Sequence, residues 1–158
     1  MFRKMTRERQ ALSREACTAL LNSELRGVLS LLGDDGWPYG LPINHFYNEE
    51  DGCLYFHSGK KGHKIDAMTR CSKASYCVFD QGFRKPGDWA LNIRSVIVFG
   101  WLEIVEDPEK AIDICRKLSY RFTDDDGYID DEIRRSGPGV LVFRLIPEYM
   151  TGKQVNEK

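Results

Sequence analysis

The sequence predicts an α+β fold: an antiparallel barrel of about six strands with helices packed on its outside. Three observations carry that prediction. Apolar and polar residues alternate in run after run, the period of a half-buried strand. Turn-forming GDDG (33–36) and EEDG (49–52) join the first runs as hairpins. Helical patterns occur, but without strict strand–helix–strand alternation, so a parallel sheet is not expected.

The 158 residues suit a single domain spanning 1–158, with the barrel at about 26–147, a basic arm at 1–12 and a tail at 148–158. A net charge of -1 argues against a strongly basic nucleic-acid binder and against an acidic disordered tail. Arg3, Lys4, Arg7 and Arg9 read as a solvated, partly frayed N-terminus. The five cysteines form no CxxC pair and no metal-ligand spacing. Their odd number, with no signal-peptide pattern, points to a reducing cytoplasm. No apolar run approaches the ~20 residues of a membrane span. No metal site is expected either: DDDG (124–127) lacks the alternating ligands and distal Glu of a calcium loop and reads as a turn or helix cap.

Ser13 is a suitable N-cap for a helix over 13–23, with Ala16, Leu20 and Leu21 at helical spacing. Residues 27–32 form a first strand and 37–47 a long return strand, whose Pro38 and Pro42 require an edge, bend or bulge. A third strand begins at Cys53, so the three are expected in meander order. A helix follows over 62–70, then a strand over 73–80 that carries little charge and is expected to be buried on both faces. The loop 81–89 is either a functional loop or a hairpin whose Phe83 and Trp89 cover core edges. Residues 92–105 read as the longest strand, with Gly100 inviting a bulge. Asp107-Pro108 opens a helix with Ala111, Ile114, Cys115 and Leu118 on its buried stripe, and 129–135 form a short one. A last strand over 139–146 is expected to stop at Pro147. Trp37, Trp89 and Trp101 are expected to supply core and interface area.

The stretch CLYFHSGKKGHKID (53–66) joins a strand, a Gly-containing turn with Lys60 and Lys61, and a helix start. First-turn N–H groups, the helix dipole and two ammoniums suit a phosphate. The motif is neither a GxGxxG nor a GxxxxGK[ST], and two lysines beside a glycine also occur as a merely solvated turn.

The run VLSLLGDDGWPYGLPINHFYNEEDGCLYFHSGKKGHKIDAM (28–68), the late IRSVIVFG strand and the tail Thr151-Gly152-Lys153 resemble the pyridoxamine 5'-phosphate oxidase-like superfamily of FMN-binding split barrels, nearest to its nitroimidazole-resistance branch. The resemblance implies a homodimer with FMN in a groove between two barrels. It assigns Lys60 and Lys61, preceded by His57 and Ser58, to the phosphate. It sets Leu41, Pro42, Ile43 and Asn44 along the flavin ring, and brings Arg94 and Ser95 from the partner subunit. His63 and Lys64 belong to the branch motif, as cofactor contacts or as helix-capping residues. True pyridoxamine-phosphate oxidases end in an Arg/His segment that grips the substrate phosphate; MTGKQVNEK has none, so an unphosphorylated substrate is expected.

Two functions follow from the resemblance. One is an FMN-dependent oxidoreductase acting on a small electron-poor molecule such as a 5-nitroimidazole. The other is a non-catalytic carrier or sensor of flavin or haem. His45 is a candidate substrate contact, a pocket-lining or structural residue or, ranked below these, a haem ligand; His57 is a structural histidine or a flavin contact; Trp89 is a candidate for stacking on substrate. No Ser-His-Asp or Cys-His set at recognisable spacing supports a hydrolase.

Overall fold

A computed structural model describes residues 1–156. Helix α1 (Arg14–Ser23) starts where the Ser13 hydroxyl accepts from the Ala16 N–H, 3.2 Å away, and it buries Cys17, Leu20 and Leu21. Strand β1 (Arg26–Leu32) turns back through Asp34–Gly36, with Asp35 and Gly36 at positive φ, into β2 (Pro38–Asn44). The chain then forms β3 (Phe46–Asn48), β4 (Cys53–Gly59), α2 (His63–Arg70), β5 (Lys73–Phe79), β6 (Phe83–Arg84) and β7 (Leu91–Ile104). Helices α3 (Pro108–Tyr120) and α4 (Asp126–Ser136) lead to β8 (Val140–Asn156). Asp107 and Asp125 cap the two helices, accepting from the Glu109 and Tyr128 N–H groups.

The strands pair antiparallel in the order β2-β1-β5-β7-β8-β4-β3, and β6 adds to β7. The expected split-barrel architecture is present with eight strands rather than six, because one predicted strand divides and β6 forms within the 81–89 loop, which is a hairpin. The division falls at His45. Residues 38–44 pair with β1 at one end of the sheet, and 46–48 pair with β4 at the other. One residue therefore connects the two ends of the strand order, which is possible only because the sheet curls until its edges meet. The meander holds in divided form: the expected second strand pairs with β1 through 38–44 and with β4 through 46–47, while the other neighbour of β4 is β8.

Leu29, Phe56, Tyr76, Val96, Val98 and Phe143 fill the barrel, with α1 packed into the same core. Cys53, Tyr55 and Val142 form a second core under Ile114 and Leu118 of α3.

Strand β5 is buried on one face only. Ala74, Tyr76 and Val78 point inward, while Phe79 on the other face is 55% exposed. The longest strand is β8, not β7, since pairing continues through Pro147 to Asn156. A register shift at Phe99/Gly100 absorbs the missing proline N–H, with Gly100 opposite Pro147 and Phe99 opposite Tyr149. Gly100 is required there, because a Cβ would collide with the Ile146 carbonyl. The N-terminal arm is docked rather than frayed: the Leu12 N–H donates to the Gly152 carbonyl at 2.9 Å, and Phe2 stacks on Tyr149 with centroids 4.9 Å apart. None of the three tryptophans is in the core; Trp37 and Trp89 are 72% and 71% exposed.

Candidate functional site

Strand β4 ends at Gly59, and Lys60 and Lys61 follow it on the surface. Gly62, at φ 120°, turns the chain into α2, where Ile65 and Asp66 donate to its carbonyl. Gly62 brings no capping side chain, so the His63 and Lys64 N–H groups at the helix start are left for an outside acceptor. A Cβ at Gly59 or Gly62 would meet nothing within 4 Å, so the space over the turn is open. Lys64 is half-buried, and desolvation holds its pKa below the usual lysine value.

His63 fixes this turn against the edge strand. Its imidazole stacks on Tyr39 of β2, with centroids 4.0 Å apart and 14° between planes. Its Nε2 lies 3.6 Å from Asp34 Oδ2, and Arg70, at the far end of α2, pairs with the other oxygen of that carboxylate at 2.7 Å. Tyr39, Asp34 and Arg70 went unrecognised in the sequence, where no spacing rule connects a hairpin acid to a helix that begins 29 residues later.

The open edge of β2 runs alongside. The Gly33 N–H donates to the Trp37 carbonyl at 2.8 Å, and the His45 N–H to the Leu25 carbonyl at 3.3 Å. These bonds bracket the β1–β2 ladder and put residues 39, 41 and 43 in hydrogen-bonded pairs. Residues 38, 40, 42 and 44 therefore turn their main-chain groups toward the open edge. Pro38 and Pro42 fall in that set and have no N–H to offer, so Gly40 and Asn44 are the edge donors. The Leu41 and Ile43 side chains pack on the core, so toward a ligand these residues offer main chain rather than an apolar slot; the Pro42 ring is exposed.

Of the roles expected for His45, the structure supports the structural one and not the substrate contact or haem ligand: it has no exposed surface. Its Nε2 donates to the Leu21 carbonyl at 2.7 Å, and its Nδ1 is 2.8 Å from the Tyr76 hydroxyl. Burial pushes its pKa down to about 4 despite the Leu21 bond, and Arg121 lowers it further. Both ring nitrogens are engaged, so neither is free for a metal or a substrate.

The remaining predicted residues are spread more widely. His57 reaches the surface, yet neighbouring atoms desolvate its ring and, with the Lys64 ammonium adding, hold its pKa below the ordinary value. The Ser58 hydroxyl donates to the Gly59 carbonyl at 2.8 Å. Arg94 Nε donates to Asp80 Oδ2 at 2.8 Å, and Arg94 and Ser95 lie on β7, beyond β1 and β5 from the β2 edge. Burial works against the Asp80 carboxylate, but hydrogen bonds from the Arg94 backbone and side chain and from Gly82 outweigh it and hold its pKa low. Trp89 stands in solvent on the β6–β7 connection.

Hollows are found elsewhere among the described residues. One of about 620 Å³ lies between α2, β7 and α3, and one of about 450 Å³ lies under the N-terminal arm. The β2 edge and the Lys60–Lys61 turn form an open ledge instead. Its donors suit a ligand with a phosphate at one end and a flat ring with polar atoms along one side, which is the form of FMN. Around the barrel from this ledge, Phe79, Ile97, Phe99 and Trp101 form an exposed apolar sheet face.

A family model described as pyridoxamine 5'-phosphate oxidase matches residues 13–154. The fold is shared with solved structures of low sequence identity. A candidate 5-nitroimidazole antibiotic resistance protein from Bacteroides thetaiotaomicron is 20% identical, with a TM-score of 0.76 over 92% of this chain and 87% of that one. An FAD and haem binding protein from Mycobacterium smegmatis is 21% identical, with a TM-score of 0.72 over 91% of this chain and 72% of that one. An FAD binding protein from the same organism is 18% identical, with a TM-score of 0.61 over 93% and 98%. No curated protein matches.

Proposed function

Because the chain belongs to the pyridoxamine 5'-phosphate oxidase family, we propose that it binds FMN between two copies of itself and reduces a small, flat, electron-poor substrate, a nitroaromatic such as a 5-nitroimidazole. The observation that carries this reading is the ledge: a Lys60–Lys61 turn and uncapped helix start, joined by the His63–Tyr39 stack to an open strand edge.

Lys60, Lys61 and the first N–H groups of α2 would hold the phosphate, offsetting its charge by ammonium and helix dipole together. Gly40 and Asn44 would donate main-chain N–H groups along the ring, and the Pro38 and Pro42 carbonyls would accept. The apolar face around Phe99 would meet its two-fold copy, placing the partner's Arg94 and Ser95 near the ledge. Arg94 would swing from Asp80 or bring it along as a pair. When bound, the flavin supplies the electron-transfer chemistry, taking reducing equivalents from a reduced nicotinamide or another carrier. The chain's part is to bind, orient and exclude water.

The FAD and haem binding neighbour keeps a carrier or sensor reading open beside the enzyme. Haem held through His45 is not part of it, because both ring nitrogens are occupied. Anaerobic reduction separates the two readings. Bound flavin that bleaches with reduced nicotinamide and reoxidises on adding a 5-nitroimidazole supports the enzyme. Flavin whose reoxidation is independent of the nitro compound supports the carrier.

A further inference from the structure

We propose that Tyr76 and His45 are positioning residues that set the orientation of the Ile43–Asn44 peptide on the open edge of β2, an inference that rests on the flavin reading above. Tyr76 is rooted on β5, two strands from β2 in the sheet order, and is fully buried. Its hydroxyl donates to the Ile43 carbonyl at 2.8 Å. Gly27 and Ile43 are a hydrogen-bonded register pair, so the Ile43 carbonyl faces β1 and the Tyr76 hydroxyl adds a second donor that holds it there. Gly27 is what admits it: a Cβ there would lie 2.8 Å from Tyr76 Cζ.

The consequence follows from peptide planarity. Every peptide bond described is trans, so the Asn44 N–H points opposite to the Ile43 carbonyl. A carbonyl held inward by the β1 ladder and by Tyr76 together aims that N–H outward, at the ledge. His45 adjusts the hold. The Leu21 carbonyl only accepts, so His45 Nε2 carries the ring proton, and the neutral ring presents Nδ1 as an acceptor. The single Tyr76 proton then lies between two acceptors, His45 Nδ1 and the Ile43 carbonyl, each 2.8 Å away. Replacing either side chain changes how firmly the Ile43 carbonyl is held.

The test uses the full-length chain, the Tyr76→Phe and His45→Gln variants, and FMN as ligand. In cofactor-free protein, both variants are expected to move the 15N amide shifts of Ile43 and Asn44. With FMN bound, Tyr76→Phe is expected to shift the visible bands and to change the ratio of oxidised- to reduced-flavin affinity about tenfold, ~30 mV for a two-electron couple. A Lys60→Ala/Lys61→Ala protein is expected to bind FMN more weakly at an unchanged potential. If Tyr76→Phe lowers thermal stability but leaves the amide shifts, bands and potential at wild-type values, Tyr76 is only a core residue and the proposal is overturned. If Tyr76→Phe does not fold, His45→Gln, which keeps an N–H for Leu21, decides by the same readouts. Failure of the wild-type chain to bind FMN would defeat the flavin reading; the cofactor-free amide shifts would still decide whether Tyr76 orients the peptide.

Discussion

The His63 imidazole lies flat on the Tyr39 ring, 4.0 Å between centroids, and this contact sets the start of α2 against the edge strand β2. Truncating Tyr39 to Ala should cost about 1 kcal/mol, the scale of an aromatic pair. FMN affinity should fall by roughly fivefold to tenfold if that loss is felt in full at the ledge. Thermal unfolding and an FMN titration on one preparation check both.

A Lys60→Ala/Lys61→Ala protein should lose at least ~100-fold in FMN affinity, at about 1.5 kcal/mol for each charge-assisted contact. Riboflavin, which lacks the phosphate, should bind wild type and variant alike. An equal loss for both ligands would place the lysines away from the phosphate.

His45 gives stability a definite pH dependence. Burial depresses its folded pKa to about 4, below the ordinary 6.5, so the unfolded chain takes up the proton first. The stabilisation is complete above pH ~6.5 and is lost as pH falls toward ~4, on the order of a few kcal/mol. His57 is shifted the same way, so the comparison is with His45→Gln. The urea midpoint of wild type should fall more steeply across that window than the midpoint of the variant.

The exposed strip of Phe79, Ile97, Phe99 and Trp101 is large for a lone barrel. Ile97→Asp, at its centre, should leave the fold intact and turn a dimer into a monomer at micromolar concentration, read by sedimentation velocity. FMN affinity should fall with it, since the partner's β7 would be gone. A wild-type monomer that binds FMN tightly would contradict the shared site.

Much of this was legible in the sequence because it is local. The Ser13 cap, the GDDG hairpin and the helix start at GHK each depend on neighbours a few residues away. What escaped was set by distant partners. Nothing near His45 shows that the chain leaves one sheet edge for the other there, because the signal is the curl of the whole sheet. Pro147 reads as a strand end, and pairing continues only because β8 bulges there, leaving Glu148 between the partners of Gly100 and Phe99. Phe79 reads as core because its strand carries little charge on either face, and burial in a single chain covers only one face. In the site, the Lys60–Lys61 turn was readable. The Asp34–His63–Tyr39 arrangement was not, because it forms only when α2 packs across the β1–β2 hairpin.

The most direct test of the central claim is an absorption titration of the purified chain with FMN from 300 to 700 nm. The ledge predicts saturable binding with resolved, shifted flavin bands near ~375 and ~450 nm, lost in the Lys60→Ala/Lys61→Ala protein. Bands that remain those of free FMN at every protein concentration would contradict it, and would leave Lys60 and Lys61 as a solvated turn.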